Sequence, residues 1–176
     1  MPGSCDQNGA HGAVAGVIQI PGKIASFLEQ RANVAMAGTR DEDLVPHGHR
    51  VTGWRLGPER ETMECFIPEK FTEHLIGSLQ DNGRIAVTVE EFPSHETYQF
   101  KGRYLTHRPL APDDLTIHEQ CRERFARSVR TFLNLPEGVL RAFILKPHVV
   151  VTFEVEEIYL QTPGPGAGSR IVPRAE

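Results

Sequence analysis

The stretch "VVVTFEVEEIYL", Val149 to Leu160, constrains the fold more than any other part of the sequence. Val149, Val151, Phe153 and Val155 fall on one side, with Val150 and Thr152 on the other, the period-two pattern of a strand. A strand this long and this apolar needs partners on both sides and a cover on at least one face. Such partners are present. Arg84 to Glu91 alternates Ile85, Val87 and Val89 against Ala86 and Thr88, and Thr97 to Thr106 follows after the turn "EEFPSHE". Gly102 inside that second run marks a bulge or a close backbone approach.

Shorter extended runs occupy Asn33 to Thr39, Val51 to Leu56 and Thr62 to Ile67, and the total is about six strands. Helical spacing appears three times. Ile24, Phe27 and Leu28 share a side after Pro21; Phe71, Leu75, Ile76 and Leu79 form a stripe that stops at "DNG"; Ile117, Cys121, Phe125 and Val129 recur every four residues from Pro112 to about Phe132. Asp113 and Asp114 suit the positive end of that last helix. "NLPEGVLRAFILKPH" is a short helix or an irregular cover. Helices inserted among turn-linked strands fit an antiparallel barrel better than a doubly wound parallel sheet.

The chain has 176 residues, enough for one domain, and 39% hydrophobic with 24% charged residues is globular composition. It divides into an N-terminal arm at 1–20, a barrel domain at 21–161 with a helical insertion near 112–145, and a tail at 162–176 whose prolines and glycines hold no regular element. The net charge of -4 comes without a basic run, which argues against nucleic acid. Cys5, Cys65 and Cys121 give no disulfide framework and point to the cytoplasm. "GAVAGVIQI" is too short to span a membrane.

The chemistry-bearing residues gather around "VPHGHRVTGW". His47, His49 and Val51 share one side of the strand, Arg50 and Thr52 the other. No third ligand at metal-site spacing accompanies the two histidines, so no metal is expected. An anion is better served. Arg50 supplies a rigid donor fork, Thr52 a hydroxyl, and the helix opening at Pro68 and Glu69 unpaired amides, with Lys70 and Thr72 close by. The same residues also describe a capped surface helix with Arg50 in an ordinary ion pair. Trp54, Phe66, Tyr98, Phe100 and Tyr104 are the aromatics available for stacking or core. Ser94 with His95, and Cys121 with His118, pair only on paper, and no catalytic acid, base or nucleophile stands out.

In "FLEQRANVAMAGTRDEDLVPHGHRVTGW", "ECFIPEKFTEHLIGSLQDNGRIAVTVEE" and "TYQFKGRYL" the chain resembles the pyridoxamine 5'-phosphate oxidase-like split-barrel flavoproteins. The order of a helix, a strand, a proline-led second strand, a third strand, an Asn-turn helix and a fourth strand carries the resemblance. It implies a mainly β fold: a six-stranded antiparallel Greek-key split barrel with peripheral helices, paired as a homodimer with FMN in a groove between subunits. Arg50, Val51 and Thr52 would then approach the cofactor from the second strand, Phe66, Ile67 and Pro68 from the third, and Lys70, Thr72 and His74 from the helix. The resemblance further implies an oxidoreductase acting on a small organic or nicotinamide substrate.

One departure bears on the phosphate. Many relatives place a basic residue about seven positions before the asparagine of the "DNG" turn, where this chain has Leu75 beside His74. Heme is the alternative cofactor that the resemblance implies, with His47, His49, His74 or His148 as iron ligands. A cofactor-free dimeric binding module is the third reading. Thr162 and Pro163 are further pocket positions, and the paired arginine and histidine that would hold a pyridoxine phosphate are missing late in the chain.

Overall fold

The computed structural model describes residues 16–133, 135, 138 and 145–171. In chain order they form α1 (Gly22–Gln30), β1 (Val34–Arg40), β2 (Pro46–Val51), β3 (Trp54–Leu56), β4 (Thr62–Pro68), α2 (Glu69–Asn82), β5 (Arg84–Glu90), β6 (Thr97–Pro109), α3 (Pro112–Leu133), β7 (Pro147–Leu160) and β8 (Arg170–Ile171). Every strand pairing is antiparallel, in the order β2-β1-β5-β6-β7-β4-β3, with β8 beside β7.

The two ends of this order, β2 and β3, are joined by Thr52 and Gly53 alone. The Thr52 amide donates to the Phe66 carbonyl at 2.9 Å and the Phe66 amide to the Gly53 carbonyl at 2.8 Å. The sheet therefore curls until its first strand reaches β4, which makes it a split barrel.

The expected six strands are eight among the described residues, for two reasons. Val51 to Leu56, read as one strand, changes partner in the middle: Val51 pairs with Ala35 of β1, whereas Trp54 pairs with Cys65 of β4. The turnover occurs at Gly53, where a Cβ would lie 2.7 Å from Phe66 Cδ2 and 3.3 Å from His118 Cα. The tail also holds a regular element despite its composition, since Arg170 and Ile171 pair with Tyr159 and Ile158. The short helix or cover expected over 134–148 falls largely outside the described residues, as do residues 1–15. Just beyond the latter, the Ile18 amide donates to Val155 O at 2.9 Å and the Ile20 amide to Arg60 O at 2.8 Å.

The alternating sets point as their periods require. Ala35, Ala37, Val51, Val87, Phe100, Val151, Phe153 and Val155 fill the barrel, and Leu75 and Leu79 of α2 join the same cluster. Each large side chain of this kind contributes about 1.5–3 kcal/mol of burial. Helix α2 ends where "DNG" predicts, because Gly83 takes the left-handed conformation (φ 67°) and its amide returns to Leu79 O at 2.9 Å. Gly102 lies at the bulge expected from the sequence, where a Cβ would meet Glu154 O at 1.8 Å.

Helix α3 opens on Asp114, whose side chain is 1% exposed. Its carboxylate accepts from the Ala111 amide at 2.7 Å and from Arg108 Nη1 at 2.6 Å. These bonds hold its pKa below the usual carboxylate range, the Arg108 bond contributing most. Phe66, Val150, Cys121, Ala126 and Val129 are buried outside the barrel cluster, as a second apolar layer. No helix among the described residues is long and apolar enough to cross a membrane.

Candidate functional site: a bare shelf beside Arg50

Alternation divides the residues singled out in the sequence between the two faces of the sheet. Val51 and Ile67 turn inward and are buried, so that only their backbone could meet a ligand. Arg50, Thr52 and Phe66 turn outward. Phe66 is fully covered. Thr52 donates its hydroxyl to Phe66 O at 3.2 Å, and its carbonyl accepts from His118 Nδ1 of α3 at 3.0 Å. Burial pushes the His118 pKa down, opposed in part by that bond.

Helix α2 meets the other side of β2. The His74 ring stacks on His47 with centroids 6.1 Å apart, and Phe71 sits edge-on to His49 at 5.8 Å. Pro68 precedes the helix, its carbonyl accepting the Thr72 hydroxyl at 3.2 Å, while Lys70 Nζ lies 4.6 Å from the centre of the Phe71 ring. His74 and Phe71 thus lie against β2, Thr72 is turned back onto its own helix start and towards the buried side of α2, and Arg50 faces α3.

His49 is 3% exposed rather than solvent-facing. Its Nε2 is 3.2 Å from the Thr39 hydroxyl, and its buried Nδ1 has no hydrogen-bond partner. Burial, together with the neighbouring His47 and His74, pushes its pKa down. His47 is paired with Asp41 at 2.9 Å. Despite these three imidazoles, no group of side chains among the described residues could hold a metal ion.

On the outer face, β1, β2 and β5 carry very little. Gly38 is flanked by Gly48 on one side and Ala86 on the other, and the next row runs Arg50, Met36, Thr88. A Cβ at Gly48 would meet nothing within 4 Å. Met36 is 43% exposed. With neighbouring strands about 4.8 Å apart, these three strands make a flat shelf about 10 Å across.

Helix α3 walls one side of the shelf. Three of its residues, one turn apart, reach the sheet or the segments flanking it: Phe125 lies under the Arg50 guanidinium at 5.3 Å, Ser128 accepts from Asn33 Nδ2 at 2.9 Å, and Phe132 meets Phe92 edge-on at 6.0 Å. Arg50 has no carboxylate or hydrogen-bond partner among the described residues, and burial pushes its pKa down. The ordinary ion pair that the sequence allows for it is not made. A desolvated guanidinium with unfilled donors favours an incoming anion.

The aromatics considered for stacking are elsewhere. Trp54 donates its indole N–H to Leu28 O at 3.0 Å and is buried, as are Phe66, Tyr98 and Phe100. Tyr104 stacks on His107. The ring beside Arg50 is Phe125, read from its period as part of a core stripe. Nor do the paper pairs form reactive couples: the Ser94 hydroxyl is donated to Glu91, and Cys121 is buried.

Beyond Thr88 the shelf opens into a groove of about 390 Å³ that includes Pro163, one of the tail positions singled out in the sequence. The groove's other residues come from both strands of the β5–β6 hairpin, from its turn, and from Gln161 just after β7. Their separation across a turn is why spacing alone did not join them.

No family model and no curated protein matches the sequence. Solved structures do. HupZ from Group A Streptococcus matches over 86% of this chain and 99% of that chain at 16% identity, with a TM-score of 0.52. An FMN-binding protein from Syntrophomonas wolfei matches over 76% of this chain and 80% of that one at 11% identity and a TM-score of 0.46. HutZ, the heme storage protein of Vibrio cholerae, matches over 81% and 95% at 9% identity and 0.43. At these identities the likeness is one of fold. The chain has the split-barrel fold that its strand order and the HupZ match both show.

Proposed function

We propose that this chain is an FMN-binding split-barrel oxidoreductase acting as a homodimer. One observation carries the reading: the half-buried, unpartnered guanidinium of Arg50 stands at the edge of a flat shelf that Gly38, Gly48 and Ala86 leave without side chains. A planar ring can lie on such a surface where a Cβ-bearing strand would lift it off, and its phosphate can take the Arg50 donors. Bound there, FMN supplies hydride and electron transfer.

The chain's own residues bind and orient. Arg50 pairs the phosphate, and Met36 and the glycine backbone form the floor. Helix α3 excludes water along one side, its position fixed by His118 on the Thr52 carbonyl. Val51, Ile67 and Phe66 act through the backbone they hold in place. Lys70, Thr72 and His74, on the far side of β2, belong in this reading to the groove that a second copy completes. The Leu75 departure is consistent with it, since Arg50 takes over the charge that the α2 position lacks. A small organic or nicotinamide compound is the substrate class.

Heme binding is the second reading, favoured by one feature of the slot. His74 is exposed and stacked on His47, which Asp41 orients as carboxylates orient iron-ligating imidazoles. The visible spectrum of the purified protein, followed by titration with FMN and with hemin, tests both. The two-band spectrum of bound flavin, weakened about tenfold to a hundredfold in affinity by Arg50→Ala, is expected. A Soret band that His47→Ala or His74→Ala abolishes would replace the first reading with the second. A colourless protein that takes up neither would leave a cofactor-free binding module.

A further inference from the structure

The groove beyond Thr88 is more than an extension of the shelf. Its residues Thr88, Glu90, His95, Thr97, Gln99 and Gln161 all carry hydrogen-bonding side chains. Most are already fixed by one bond each. Gln99 Nε2 donates to the Thr88 hydroxyl at 3.1 Å, and the Thr97 hydroxyl donates to His95 O at 2.8 Å. The Gln161 backbone N–H donates to Thr97 O at 2.8 Å and holds that residue beside the hairpin. His95 Nδ1 is 2.6 Å from Glu90 Oε1.

A carboxylate accepts, so the proton of that last bond sits on Nδ1. Where the imidazole is neutral, Nε2 is then the acceptor. The turn that carries the ring is held firmly. Arg31 pairs with both Glu91 and Glu96, the His95 amide donates to Glu91 O at 2.8 Å, and the Glu96 amide donates to Ser94 Oγ at 3.2 Å. His95 itself takes a left-handed backbone conformation, φ 58°. A non-glycine residue stays in that region only where its surroundings enforce it, and such residues concentrate at ligand sites.

Once these bonds are made, three groups around the groove, apart from the Glu90 carboxylate, have no partner among the described residues: His95 Nε2, Gln99 Oε1 and the Gln161 carboxamide. Two are acceptors and one is both donor and acceptor. Glu90 adds negative charge, which disfavours an anion. We propose that this groove is a binding subsite for a small uncharged molecule bearing a carboxamide or hydroxyl groups, whose donors are taken by His95 Nε2 and Gln99 Oε1. The inference rests on the flavin reading for its role, because the groove adjoins the shelf at Thr88 and would hold the substrate beside the ring. Binding itself needs only the groove.

The test uses benzamide, with benzoate as the anionic counterpart of the same shape. Both are titrated into the full chain and followed by amide and imidazole NMR, before and after addition of FMN. Benzamide should give saturable shifts confined to Thr88, Glu90, His95, Thr97, Gln99 and Gln161, and benzoate none. His95→Asn keeps a residue that tolerates the left-handed backbone and removes the imidazole acceptor. It should weaken benzamide about tenfold, leaving the melting temperature and the FMN affinity unchanged. Gln99→Ala should weaken benzamide by several-fold and provides the same reading from a regular strand position.

Equal shifts from benzamide and benzoate, or no saturable shift at these residues, would overturn the proposal. So would an unchanged affinity in both variants. If FMN fails to bind while benzamide still does, the shelf reading falls and the groove stands; if FMN binds and benzamide does not, the groove falls alone.

Discussion

The outer face of this sheet is treated in two opposite ways. At β3 and β4 it carries a large apolar side chain, Phe66, which lies against Gly53 and the start of α3 and is wholly covered. At β2, β1 and β5 it carries Gly48, Gly38 and Ala86, with Met36 left exposed. One half is closed by side chains of this chain; the other has almost none to close it. Burying Phe66 stabilises the fold, whereas the glycines of the shelf contribute no burial and cost strand propensity. The bare half is where the proposed FMN site lies, beside a guanidinium with no hydrogen-bond partner among the described residues.

That contrast can be broken most directly at Phe66. Phe66→Ala should destabilise by about 3–5 kcal/mol in chemical denaturation, as for other large-to-small changes in a packed layer. A loss under about 1 kcal/mol would mean that the layer under α3 is loosely packed and that both halves are open. Gly53→Ala comes next. Its Cβ would meet Phe66 and the His118 backbone, and about 1–3 kcal/mol should be lost. The matched change on the bare half, Gly48→Ala, should stay within about 0.5 kcal/mol of the parent, since nothing lies where its Cβ would go. Gly48→Leu should likewise leave stability nearly unchanged but block the shelf, and FMN titration would show that as lost affinity.

A graded effect of pH sharpens the comparison, through one histidine beside α2 and one on α3. His49 and His118 are held below the ordinary histidine value chiefly by burial. The unfolded chain therefore takes up protons at about pH 6.5 while the folded chain does not. Stability should be full above that pH, fall as pH drops through it, and level off once the folded histidines titrate. The slope is at most about 1.4 kcal/mol per pH unit for each group. Thermal melts between pH 7.5 and pH 5, chosen as about one unit or more on either side of that value, should show a flatter profile for His49→Leu. The smallest effect expected is that of Met36→Ala, within about 0.5 kcal/mol, because its side chain is exposed.

Much of the fold was legible because period and punctuation agree. Ile85, Val87 and Val89 point inward as their alternation says, α2 stops at Gly83, and Gly102 sits at a bulge that admits no side chain. The partner switch at Thr52 and Gly53 was not legible, since the core positions step from Val51 to Trp54, a break in alternation too short to stand out in so brief a run. The two-residue β8 is too short to leave a pattern. At the site, sequence pointed to Arg50 and to a phosphate-sized charge. It gave no sign of the shelf, because glycine and alanine signal weakly in any periodicity and three strands had to be aligned before their bareness added up. Burial of His49 needed the same alignment: alternation grouped it with Val51 without saying which side was inside. The His95–Glu90 pair depends on a left-handed backbone that no composition announces.

The two-residue link between β2 and β3 has a further consequence. In an open sheet the first and last strands offer unsatisfied amides to any passing chain, and this is where fibrillar stacking begins. Here both terminal strands belong to one short covalent stretch, Pro46 starts β2 without an amide proton to offer, and Thr52 and Gly53 are already bonded to Phe66. The gap between the sheet's two ends is thus partly closed from within, which leaves less template for uncontrolled polymerisation than an open sheet of the same strands would.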